Sequence, residues 1–299
     1  MNFIKKENHT FTFSNLNKPV LKVKSGSNIV FETYDCLCDQ VKCSTDNLDR
    51  IDFNKINPAT GPLYIENAMP NQTLKVTIES IELQGDAVAM AGPDVGALGH
   101  RLDTMTHNIL KIENNKALFK NLEFPLNKMI GVIGVAPANE SINCGTPGSH
   151  GGNMDCKIIA EGSSVYLPIF IEGALLSIGD IHAVMGDGEI GVSGAEIGAL
   201  VNVHVEVIDN FKLNNPIVET DDAYYTIASA ETLDEAYQIA IENMFDILLT
   251  KSNLSKNDLV MLLSLTSDIE ICQVVDPLKT IRFKVKKDIL NKLNINKLI

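Results

Sequence analysis

Cysteine is scarce. Six thiols in 299 residues are too few and too scattered for a disulfide scaffold, so reduced thiols are expected. Basic residues are also short: Lys and Arg total 25 against 38 Asp and Glu, a formal net charge of −13. No basic run is dense enough to follow a phosphate backbone, which argues against nucleic acid and anionic membrane as main partners. Long hydrophobic runs are missing too. Lys5 and Lys6 are followed by no apolar stretch, and Pro, Glu, Asp or Gly interrupts every run elsewhere. The expectation is a soluble cytoplasmic protein with no membrane span. What the chain does have is 45% hydrophobic residues, enough to bury a sizeable core in about one to three intertwined units.

Residues 10–34 alternate in short apolar bursts separated by turn residues, and 63–83 carry the clearest alternation, with Leu74, Val76, Ile78 and Ile81 after a turn at Pro70–Asn71. Both patterns predict β-strands. Residues 84–110 are rich in Gly and Ala and read as a loop or short helix near a site. From 130 to 210, frequent Gly and abundant β-branched residues predict successive strands joined by tight turns. The interleaved helices that a parallel α/β fold needs do not occur there. A helix is expected at 231–250, capped by Thr232 with Glu235, and a second from Ser255 to about Leu265, followed by strands at 269–277 and 279–287. The fold class is therefore mainly β. A sandwich or barrel-like body of many short strands spans 1–221, and a smaller α+β unit spans 222–299.

Potential ligands are densest in TPGSHGGNMDCK (146–157) and GALLSIGDIHAVMGDGEIGVSGAEIG (173–198). Asp180 and His182 stand two apart, so on a strand both leave the same face at about 7 Å, within reach of one metal ion. Asp187 and Glu189 repeat that spacing around Gly188, and Glu196 follows. His150 and Asp155 supply another imidazole and carboxylate among glycines that let the backbone fold them together. Mixed His and carboxylate donors suit zinc, whereas oxygen groups alone suit calcium or magnesium. Asp35 ends a predicted strand and projects from it, while Cys36, Cys38 and Cys43 lack a fourth ligand at zinc spacing. No Ser stands in a nucleophile elbow. A Cys-dependent site on Cys144 or Cys156 is the weaker alternative to metal-assisted hydrolysis.

INPATGPLYIENAMP (56–70), GVIGVAPA (131–138), TPGSHGGNMDCK, the segment 165–198 and IEICQVVDP (269–277) together resemble the acetamidase/formamidase family. The resemblance runs over nearly the whole chain, and the paired motifs HGGNMD and GDIHAVMGDGE are its specific part. It implies a mainly β, metal-dependent, homo-oligomeric hydrolase that converts formamide or acetamide to the acid and ammonia. Carried across, the family's motif positions fall on Asp35, His150, Asn153, Asp155, Asp180, His182, Asp187, Glu189 and Glu196. The expected centre is a divalent cation, zinc by its donors and with calcium as a candidate second ion, held by Asp35, His150, Asp155, Asp180 and His182. Glu189 is the expected proton shuttle, with Asp187 or Glu196 as orienting partner or second-ion ligand. The rival reading is a metal-stabilised β protein that binds a small ligand without turnover.

Overall fold

Seven consecutive residues of Leu176–His182 are buried, which a strand allows only when both of its faces and both of its edges are covered. In the computed structural model, which describes residues 2–299, this strand pairs antiparallel with Met129–Gly134 and with Ala59–Glu66. Its last two residues also pair with the start of the strand Glu196–Ile208. That long strand runs between Ser27–Glu32 on one edge and Thr73–Ala91 on the other. Thr73–Ala91 pairs further with Ser164–Pro168 and Thr106–Glu113. Strands make up 42% of the chain and helices 15%, and no closed barrel forms. The class is mainly β with many short strands, as expected from the alternation.

The inner faces carry one large core, in which Ile29, Phe31, Leu63, Leu74, Ile78, Ile178, Val201 and Val203 are fully buried. The stretch 84–91 differs from its expected loop. It continues the strand, because its small residues still pair with Thr106–Glu113 and bury Ala87 and Val88. Only 92–105 is irregular, with a short 3-10 turn at Gly99–Arg101.

The C-terminal strands Ile217–Glu219, Ala223–Ala230, Lys279–Lys286 and Asp268–Gln273 form an antiparallel run. The expected boundary at 221/222 falls in the turn between two of these paired strands. Helices α1 (Leu233–Lys251) and α2 (Lys256–Thr266) cover this run, and α3 (Lys287–Lys292) follows it. Thr232 caps α1 in a reciprocal capping box with Glu235, and Ser255 caps α2 by accepting from the Asp258 N–H. Ala236, Ala240, Met244 and Leu248 form the buried stripe of α1, against Leu259, Leu263, Ile281 and Phe283. No helix among the described residues is long and apolar enough to cross a membrane.

Candidate active site

His182 sits opposite Glu196 in the ladder, and its Nε2 lies 3.1 Å from Glu196 Oε2, 3.4 Å from Asp180 Oδ1 and 3.8 Å from Asp155 Oδ1. Asp180 and His182 thus converge, as their spacing of two on a strand implies. Asp155 joins them from the turn after Gly151–Asn153, and Glu189 from the turn after Asp187; one ligand atom each of Asp155, His182 and Glu189 lies within 4.8 Å of the others. Cys36, Asp180 and Glu196 make a second such group, also within 4.8 Å. Three of these carboxylates sit on left-handed backbone: Asp155 at φ 41°, Asp180 at φ 54° and Glu189 at φ 46°. Non-glycine residues in that region cost about 1–3 kcal/mol each and persist where the surroundings over-determine them. Two glycines make the room. A Cβ on Gly131 would collide with Asp155 Oδ1 and Asp180 Oδ2, and one on Gly194 would stand 2.6 Å from His182 Nδ1.

The cluster is buried and poorly satisfied. Both carboxylate oxygens of Asp155, Oδ1 of Asp180, Oε2 of Glu196 and Nδ1 of His182 have no hydrogen-bond partner within the chain. Glu196 Oε1 is an exception, accepting the Gly194 N–H at 2.7 Å. Buried polar groups in folded proteins nearly always find partners, so orphans gathered at one point mark a place built for a ligand. The charges agree. Burial raises Asp155 to about 6, with the Asp180 carboxylate adding to the shift. Burial carries Glu196 to about 8 against the pull of His182. Glu189 is held well above the carboxylate range by burial and then by Asp155. Burial opposes a charge on His182, but Glu196 and Asp180 outweigh it and keep the imidazolium favoured. So many like charges in one dry pocket call for a cation or for protons.

The donor set of carboxylate oxygens, one imidazole nitrogen and one thiol suits a divalent ion of the zinc type. These residues therefore fit the metal that the resemblance implies.

Other expected site residues fall outside these two ligand groups. Asp187 turns away from the cluster into a bidentate pair with Arg282, at 2.9 and 2.8 Å, and a salt bridge to Lys157 at 2.7 Å. Asp35 is buried, but its Oδ1 accepts the Asp39 N–H at 2.8 Å and closes its own turn. His150 is buried edge-on against Phe13, and burial lowers its pKa to about 4. Neither Asp35 nor His150 belongs to either ligand group. Cys144 and Cys156 are fully buried and are not among the residues that line the cavity at the cluster.

Sequence reasoning missed Asp276, and took Cys36 only as part of a weak cysteine pattern. Asp276 reaches the cavity from the C-terminal strands and accepts from Asn153 Nδ2 at 3.0 Å. The buried Gln273 carboxamide holds its turn, accepting the N–H groups of Val275 and Asp276 and donating to Leu278 O. The nearest signal was the acidic end of IEICQVVDP. These groups form the floor of a cavity of about 420 Å³, which Asn153, Asp180, Glu189, Glu196 and Asp276 all line.

The acetamidase/formamidase family model matches residues 13–144 and 138–292, nearly the full length. The chain belongs to the acetamidase/formamidase family. A predicted acetamidase/formamidase from Thermoanaerobacter tengcongensis superposes with a TM-score of 0.96 at 46% identity, covering 98% of each chain. An acetamidase from Bacillus halodurans does so at 0.95 and 43% identity, covering 97% of this chain and 99% of its own. The match to the acetamidase of Mycolicibacterium smegmatis is shorter: 45% identity over 74 residues, 24% of this chain and 18% of that protein. Membership places this acetamidase/formamidase homologue in a family of hydrolases named for linear amides.

Proposed function

We propose that this protein hydrolyses primary aliphatic amides, formamide and acetamide being the simplest, to the carboxylate and ammonia with the aid of a divalent metal. One observation carries the reading: five buried acidic and imidazole groups gather beside the cavity, which Asp180, Glu189 and Glu196 line, and Asp155, Asp180, His182 and Glu196 each carry at least one side-chain atom without a partner. Asp155, Asp180, His182 and Glu196, with Cys36 beside them, would hold the ion, and zinc suits the mixed donors. Calcium as a second ion would take the carboxylate side of the cluster. A bound divalent ion supplies a Lewis acid for the amide carbonyl and nucleophilic water near neutral pH.

The chain's own residues supply the rest. Glu189 borders both the cluster and the open cavity, and burial favours its protonated form, so its carboxyl is suited to hold and move a proton. Where a cation offsets the charge of Asp155 and its neighbours, its carboxylate form would take a proton from the attacking water and deliver it to the departing nitrogen. The C–N bond breaks, a C–O bond forms, and the acid and ammonia leave. Asp187 acts at a distance, anchoring the Glu189 turn to Arg282. Asn153 ties Asp276 to the floor and leaves its own Oδ1 free to accept from the substrate NH₂.

The test is ammonia release from both amides by the purified protein, its chelated form and the zinc-restored form. Release that is lost on chelation and returns with zinc supports the reading; equal release from all three overturns the metal dependence. Glu189→Gln should lower kcat about 10²–10⁴-fold with metal still bound, and full turnover by that variant would remove the shuttle role. A homo-oligomer in solution is expected from the family resemblance, and sedimentation tests it.

A further inference from the structure

The cavity above the ligand cluster is far larger than formamide or acetamide requires. Its volume of about 420 Å³ is the space of roughly fourteen waters at about 30 Å³ each, and it falls within the range of sites for drug-sized ligands. An amide bearing hydrogen or a methyl on its carbonyl carbon would occupy only the floor.

Most of the remaining lining is apolar, with Asn57, Asn143, Thr146 and Ser193 as its uncharged polar members. Leu37 and Ile56 wall it from the segment before the strand Ala59–Glu66, Met90 from the end of Thr73–Ala91, Val95 and Met105 from the irregular 92–105, and Val275 from the C-terminal turn. Charged groups and apolar side chains thus share one cavity. That composition matches a ligand with a polar head that reacts and a hydrophobic tail that does not.

We infer that the preferred substrates are primary amides with an extended apolar acyl group, medium-chain aliphatic or arylalkyl, whose tail lies between Met90, Val95 and Met105. The inference rests on the amidase reading for its chemistry and on the cavity for its selectivity. Each methylene moved from water into such a wall contributes about fourfold in affinity or kcat/KM. Two flexible methionines can follow tails of differing shape, so the preference is for size and apolarity rather than for one outline.

The experiment measures kcat/KM for formamide, acetamide, butyramide, hexanamide and phenylacetamide with the zinc-loaded full-length protein. Calorimetric binding of acetamide and hexanamide to the same protein is measured beside it. A rise of about fourfold per methylene from acetamide onward is expected. A flat or falling series with acetamide still hydrolysed overturns the inference and leaves the proposed function standing. If no amide is hydrolysed, the proposed function fails, and the binding arm then decides the inference: tighter hexanamide binding supports it and equal binding overturns it. Val95→Trp, in the irregular segment, should lower the hexanamide-to-acetamide ratio at least tenfold by filling the tail space. An unchanged ratio in a folded variant overturns the assignment of this wall.

Discussion

Two buried charge clusters lie close together in this molecule and are built in opposite ways. Around Arg282 the guanidinium meets Asp187 at 2.9 and 2.8 Å, Glu270 at 2.6 Å and the Cys272 sulfur at 3.7 Å. Both of its carboxylate partners are about one-third exposed, at 29% and 30%. Around His182 three carboxylates approach one imidazole, and most of their inward atoms have no partner. The first cluster is saturated and ties the C-terminal strands to the Asp187 turn. The second is complete only when something binds. Ionisable groups meet in both, so that property alone does not identify a site; the gathering of several unpartnered ionisable atoms does, and the two unpartnered ring nitrogens of buried His150 share that mark.

Removing one partner from each cluster sharpens this contrast. Arg282→Met should cost about 1–3 kcal/mol, read as a lower urea midpoint, because Glu270 loses its counter-charge and Asp187 keeps only Lys157. The nearby His150 tests burial without charge pairing. Its folded pKa of about 4 lies below the ordinary 6.5, so as pH falls the unfolded chain takes up the proton first. The stability is fully present above about pH 6.5 and falls by about 3 kcal/mol as pH drops towards about 4. His150→Phe should flatten that part of the urea-midpoint pH profile.

In the ligand cluster the sign reverses. Glu196→Gln, measured on chelated protein near pH 9, above the raised value of about 8 at which Glu196 ionises, should raise stability by about 1 kcal/mol, since it removes a crowded buried charge and keeps an acceptor for the Gly194 N–H. A loss of stability there would mean that the carboxylates are not in conflict. Thr232→Ala, far from both clusters at the α1 cap, should cost about 1 kcal/mol and leave amide turnover unchanged.

Much of this was legible in the chain. The capping pair Thr232 and Glu235, the strand alternation over 73–83 and the spacing of Asp180 and His182 are local, and each has one physical reading. The failures come where locality ends. Asp187 and Glu189 have the same spacing as Asp180 and His182, but Gly188 at φ 99° and Glu189 at φ 46° break the strand alternation. One carboxylate therefore turns out to Arg282 and the other in to Asp155. Small residues at 84–91 read as loop because their pairing partner lies at 106–113.

By itself the sequence determined the mainly β class, the two capped helices and the motifs that hold Asp155, Asp180, His182 and Glu189, because periodicity, caps and short spacings are properties of neighbouring residues. Only the tertiary structure decided that Cys36 and Asp276 come to the same cavity, that Asp187 pairs with Arg282, and how large the cavity is. Those outcomes depend on pairings between distant strands and on which atoms are left unpaired once the chain has closed around them.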